Sequence, residues 1–132
     1  MYRLINSIII GLYLMSGCNQ TPALAKAINQ DQAIRAILGE ARGEGYTGMY
    51  AIACALRNRG HLRGVYGLYA KMPYINPKVS TLALKAWQNS LYGHDVTGGA
   101  NHWENIKAFG LPRWAKGARI TVTIGRHTFF RL

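Results

Sequence analysis

Acidic residues are scarce in this chain: Asp31, Glu40, Glu44, Asp95 and Glu104 stand against 16 lysines and arginines. Any reaction that needs a carboxylate must draw on those five. Cysteine is scarcer still, with Cys18 and Cys54 alone, so no disulfide framework can be read here. Cys54 stands among Ala51, Ile52, Ala53, Ala55 and Leu56 and reads as a small buried filler rather than a reactive thiol. CxxC is absent, and His61, His94, His102 and His127 show no HExxH or other ligand spacing. No metal and no cofactor is therefore expected. GxSxG, Walker and Rossmann glycine patterns are missing too, which removes the serine-hydrolase elbow and the nucleotide-binding loops.

What is present fits one domain of 132 residues. The apolar fraction of 49% suffices for an ordinary core, and the formal net charge is +11. Such an excess suits a polyanionic partner: nucleic acid, anionic lipid or an acidic cell wall. The arginines, among them Arg35, Arg42, Arg57, Arg59, Arg63, Arg113 and Arg119, are scattered rather than run together, which disfavours a nucleic-acid tail.

Residues 1–25 read as an export segment rather than as fold. Arg3 precedes the apolar run IIIGLYLMSG, which is too short to span a bilayer comfortably. Two exits compete. Ala23-Leu24-Ala25 matches an A-x-A cleavage site that would leave Lys26 first, and Leu14-Met15-Ser16-Gly17-Cys18 resembles a lipobox that would make Cys18 a lipid anchor. A retained weak anchor and a buried N-terminal helix are the other readings. Membrane contact is thus expected to be transient and confined to this segment. Residues 26–132 are left as the working domain, expected to be exported to the periplasm or cell envelope and to be a monomer.

Helical spacing of Ala33, Ile34, Ile37, Leu38 and Ala41 predicts a helix from Ile28 to about Arg42, capped by Asn29 or Asp31. A second helix is expected from Gly48 to Arg59 after a Thr47 cap, stopped by Gly60, with a small face of Ala51, Cys54 and Ala55. Residues 61–77 read as a long loop, and Ser80 to Tyr92 as a third helix stopped by Gly93. Ile120, Val122 and Ile124 then alternate with threonines before Gly125 and HTFFRL, which predicts a short hairpin. The fold class is mainly α, of the α+β kind: three or more helices around one core, with a short C-terminal β element.

Among the five acids, Asp31 reads as a helix cap. Glu40 lies about 90° round the first helix from its buried stripe, at the border between core and solvent where a cleft wall would stand. It also falls in the last turn, where the helix dipole and partial burial disfavour an ionised carboxylate; a general acid needs that bias. The plainer reading is an exposed glutamate paired with Arg42 or Arg35. Glu44 follows four residues on. If the helix persisted the two carboxylates would stack on one face, so Glu44 is a poor partner nucleophile and reads as a substrate or network residue.

GEARGEGYTGMYAIACALRNR, residues 39 to 59, resembles the opening motif of the SleB/CwlJ-type cell-wall hydrolase family. ALKAWQNSLYGHDVTGGA, residues 83 to 100, and the terminal IGRHTFFRL resemble the family's remaining blocks in order, over about 100 residues. The resemblance implies a small lysozyme-like helical fold, peptidoglycan as partner, and Glu40, the first glutamate of GEARGE, as the catalytic residue. The segment NHWENIKAFGLPRWAKG departs from the aromatic-rich stretch usual in the family, which leaves Glu104 without a secure counterpart. Trp103, Trp114 and Tyr74 can stack on sugar rings or simply fill the core. His127 can orient a carboxylate, contact substrate or make a structural hydrogen bond.

The expectation is cleavage between N-acetylmuramic acid and N-acetylglucosamine by a lytic transglycosylase with Glu40 as its one essential carboxylate. A lysozyme-like hydrolase using Asp95 or Glu104 as second carboxylate is the near alternative. An amidase would want zinc or a nucleophile triad, and neither is visible. A basic module that merely adheres to the envelope is the non-enzymatic alternative.

Overall fold

Asn29 opens the first helix: its side-chain oxygen accepts the backbone N–H groups of Asp31 and Gln32 at 2.9 and 3.2 Å. Residues 28–132 are described by the computed structural model; the expected export segment 1–25, with Cys18 and Ala23-Leu24-Ala25, lies outside them. Helix α1 spans Gln30–Ala41 and buries Ala33, Ala36, Ile37, Leu38 and Ala41. Asp31 is therefore not the cap but a first-turn residue, where its charge meets the positive end of the dipole.

Helix α2, Gly45–Arg59, begins three residues before the expected start, with Glu44 at its N-cap position and no side-chain cap bond. Thr47 lies inside the helix rather than capping it, and the Glu44 side chain at the cap position is bound to Arg126 and His127 instead. Met49 and every residue from Ala51 to Arg57 are buried, so α2 is the central helix, and Cys54 fills its small face as expected. Gly60 ends it in the left-handed region at φ 76°. Helix α3, Pro77–Asn89, also starts three residues early: Asn76 caps it and Pro77 is its first residue, where the missing N–H is harmless. Its Ala83, Ala86 and Trp87 meet α2, where Arg57, only 3% exposed, lies 3.6 Å over the Trp87 ring and donates to the Trp87 carbonyl and the Ser90 hydroxyl.

Two antiparallel strands follow as expected, β2 at Arg119–Ile124 and β3 at His127–Arg131, joined by Gly125 and Arg126. The sequence did not foretell their companion β1, His102–Glu104, which pairs with the other edge of β3 and gives the order β1-β3-β2. A short helix α4 at Ile106–Phe109 and single 3-10 turns at Tyr66–Tyr69 and Arg113–Ala115 complete the chain. Lying between two partners, β3 has His127, Thr128, Phe129 and Phe130 all buried. Alternation sends His127 and Phe129 to one face and Phe130 to the other. Trp103 sits opposite Phe129 in the ladder and so shares the face with His127 that meets the helices.

Asp95 clamps the glycine-rich turn after α3. Its carboxylate accepts the Asn58 side-chain amide at 2.8 Å, the Thr97 hydroxyl at 2.6 Å, and the Thr97 and Gly99 N–H groups at 2.8 and 2.9 Å. Burial pushes this carboxyl up, but together the four hydrogen bonds outweigh it and hold the group below its ordinary value. A folded value below the unfolded one stabilises the protein above about pH 4, and that contribution is lost as pH falls through the folded value. Asp95→Asn is expected to lower stability at pH 7 by about 1–3 kcal/mol and to flatten the acid limb of stability against pH. Urea titrations at pH 7 and at successively lower pH check both parts.

Candidate active site

Glu40 projects from the last turn of α1 into a contact made by two glycines. A Cβ on Gly39 would run into the backbone of Gly67, and one on Gly67 would stand 2.6 Å from Glu40 Cγ and 2.8 Å from the Ala36 carbonyl. The 3-10 turn Tyr66–Tyr69 therefore lies directly on α1, held there also by Arg35, whose Nε donates to the Leu68 carbonyl at 2.9 Å. This approach brings the Gly67 N–H to Glu40 Oε1 at 2.7 Å. From the sheet, Trp103 Nε1–H donates to Glu40 Oε2 at 3.1 Å. Glu40 is thus held by an amide and an indole, not by Arg42 or Arg35. With its side chain 18% exposed, it still reaches the adjoining cleft.

Glu44 is tied off. Its side chain, 9% exposed, places Oε2 2.9 Å from His127 Nδ1, and its Oε1 accepts the Arg126 N–H at 2.7 Å. Side chains at Gly48 and Gly125 would collide with it. The far nitrogen of His127 lies 4.0 Å from Glu40 Oε2, so the imidazole stands between the two carboxylates. Because α1 ends at Ala41, the two glutamates do not stack on one helix face. Glu44 thus sits in a network with His127 and Arg126, and His127 makes its close contact with Glu44. Glu44→Gln is expected to lower activity less than loss of Glu40 does, about tenfold, since the amide's one oxygen cannot serve both His127 and the Arg126 N–H as the carboxylate does. The comparison is of initial rates on one substrate, with folding checked by circular dichroism.

A cleft of about 580 Å³ opens beside Glu40. Trp103, Trp114, Tyr66 and Phe109 give it aromatic walls, while Arg59, His102 and Glu104 supply its polar groups. Trp114 is seated edge-on against buried Phe130 at 5.2 Å. Glu104 Oε1 accepts only the neighbouring Asn105 N–H among the described hydrogen bonds. Tyr74 does not join them: it is 78% exposed and lines no part of this cleft. Its place is taken by Tyr66 and Phe109, which the sequence reading passed over, as it did Gly67 and Arg59. The glycine between two tyrosines in the loop at 61–77 was the available signal. Asp95 is not a cleft residue either, since both its oxygens serve the clamp. Among the described residues no group of three or more His, Cys, Asp or Glu side chains is placed to hold a metal ion, and no helix is long and apolar enough to cross a membrane.

The chain is similar to the crystal structure of the catalytic domain of the Bacillus cereus SleB protein, with a TM-score of 0.57 and 23% identity over 87% of this chain and 95% of that one. The fold is SleB-like. No family model and no curated protein sequence matches the chain. The SleB-like fold accounts for the three helices with a small sheet, and so for the α+β class expected from the sequence. Within it, α1, the 3-10 turn and the sheet converge on one carboxylate, Glu40, at the edge of an aromatic cleft.

Proposed function

We propose that this protein cleaves the glycan strands of peptidoglycan between N-acetylmuramic acid and N-acetylglucosamine, as a lytic transglycosylase with Glu40 as its catalytic acid and base. The observation that carries the reading is the setting of Glu40: a carboxylate open to an aromatic cleft and gripped by two N–H donors, while Glu44 is tied to His127 and Arg126. The SleB-like fold and the resemblance of residues 39–59 to a cell-wall hydrolase motif support it.

Each carboxylate oxygen has room for a second partner beyond the N–H it accepts, so protonated Glu40 can present its O–H to the cleft. It donates that proton to the glycosidic oxygen as the bond to the muramyl anomeric carbon breaks. The Gly67 and Trp103 donors then meet the carboxylate left behind, without reorganisation at the moment of transfer. That carboxylate next takes the proton of the muramyl 6-hydroxyl as its oxygen attacks the anomeric carbon, closing a 1,6-anhydro ring and restoring the acid. Trp103, Trp114, Tyr66 and Phe109 offer apolar faces for the sugar rings. Export through residues 1–25, by cleavage or by lipidation at Cys18, belongs to the same reading, because the substrate lies outside the cytoplasmic membrane.

Mass spectrometry of the soluble products from purified sacculi tests it. Anhydro-muropeptides are expected, free peptides would mean an amidase, and no release would mean a binding module. The second reading, a two-carboxylate hydrolase, is favoured by Glu104 lining the cleft. Reducing ends, lost on Glu104→Gln, would establish it in place of the transglycosylase.

A further inference from the structure

The end of the cleft formed by Arg59 and His102 holds a guanidinium with which no carboxylate forms an ion pair among the described residues. Arg59 is the last residue of α2, and its guanidinium donates to two backbone carbonyls, Arg63 at 2.6 Å and Asn101 at 3.4 Å. Its Nε is buried with no partner, the one such side-chain atom among the described residues. Gly64 leaves room above it, since a Cβ there would stand 3.1 Å from the guanidinium. Across the cleft, His102 is fixed by Asn101 at 2.9 Å and by the Trp114 ring at 5.1 Å. Among the described residues no carboxylate pairs with Arg59 or Arg63.

The titration of the neighbours reports the same field. Burial and then Arg63 hold Arg59 below its ordinary value, opposed by Glu40. Burial, Arg59 and Arg63 lower His61, and burial, Arg59 and His61 lower His102. Glu40 is the one acid that reaches Arg59, and in the proposed reaction it starts protonated, which leaves that guanidinium without a counter-charge. The Arg59 guanidinium lines the cleft, and a charged planar fork without an ion-pair partner is the arrangement that takes up a carboxylate.

The sugar beside Glu40 in that reaction is N-acetylmuramic acid, whose lactyl arm bears the stem peptide and so the carboxylates of the glycan repeat. We propose that Arg59, backed by Arg63 and flanked by the neutral imidazoles of His102 and His61, forms a subsite for a stem-peptide carboxylate on the muramyl residue that Glu40 acts on. The proposal rests on the glycan-cleaving reading and adds a preference to it: strands that carry peptides bind better than bare strands.

The test uses glycan strands freed of accessory wall polymers, half of them also stripped of peptides by an amidase and then amidated at the lactyl carboxylates that the amidase leaves. The full protein is expected to show a kcat/KM about tenfold higher on the peptide-bearing strands, expressed in KM, with the gap shrinking as salt is raised. His61→Gln with Arg63→Gln, both at exposed positions, should narrow the gap through KM. Arg59→Lys should narrow it further by losing the planar fork. Equal kcat/KM on both strands, or a double variant that keeps the full preference, overturns the subsite alone. Failure to cut either strand overturns the glycan-cleaving reading instead.

Discussion

Replacing Glu40 by glutamine is expected to slow glycan cleavage by about a hundred- to ten-thousand-fold while leaving the fold intact. Amide and carboxylic acid have nearly the same shape, and the glutamine oxygen can still accept the Gly67 N–H or the Trp103 indole. What is lost is the transferable proton. Neighbouring acids cannot supply it: Glu44 is held by His127 and Arg126, and Asp95 is consumed in its clamp. Glu104 is the one other carboxylate on the cleft, so activity surviving in Glu40→Gln should vanish with Glu104→Gln if that residue stands in.

Gly67→Ala is expected to slow the proposed cleavage almost as severely without touching an ionisable group. The added methyl would meet Glu40 Cγ, the Glu40 N–H and the Ala36 carbonyl within 2.6–2.8 Å, and helix backbone does not yield as a flexible side chain does. The 3-10 turn must lift off α1, at about 1–3 kcal/mol of stability. The Gly67 N–H then leaves Glu40 and the Tyr66 wall shifts with it, and a displacement of about 1 Å at a reacting group lowers rates by roughly a hundredfold. Thermal melts and initial rates measured together check this: a loss of rate exceeding what the unfolded fraction explains is the expected result. Wild-type rates in a folded Gly67→Ala would show that this contact does not set the site.

The helices were legible because each is long enough for its apolar period to register, and the hairpin because alternation on β2 stops at Gly125. Two starts were misjudged. Thr47 looked like a cap since it is a threonine just before the apolar run, whereas the helix already starts at Gly45, and Pro77 looked like the close of a loop when it is the first residue of α3. Strand β1 was invisible because three residues, His102 to Glu104, carry no period and are strand only by virtue of pairing with β3. Glu40 could be singled out from α1 alone, by its place on the wheel. Its partners could not, for Gly67 lies 27 residues away and Trp103 lies 63 away, and only the closed fold joins them. Tyr74 failed for a related reason: composition marks an aromatic loop but not which tyrosine turns to the cleft.

The most direct measurement sets wild type beside Glu40→Gln, both shown folded by circular dichroism, on the same purified sacculi, and follows soluble muropeptides by mass spectrometry. The account predicts glycan fragments ending in 1,6-anhydro-muramic acid from the wild type and almost none from the variant in the same time. Equal release by the two proteins would contradict it, because Glu40 would then not be the residue that moves the proton.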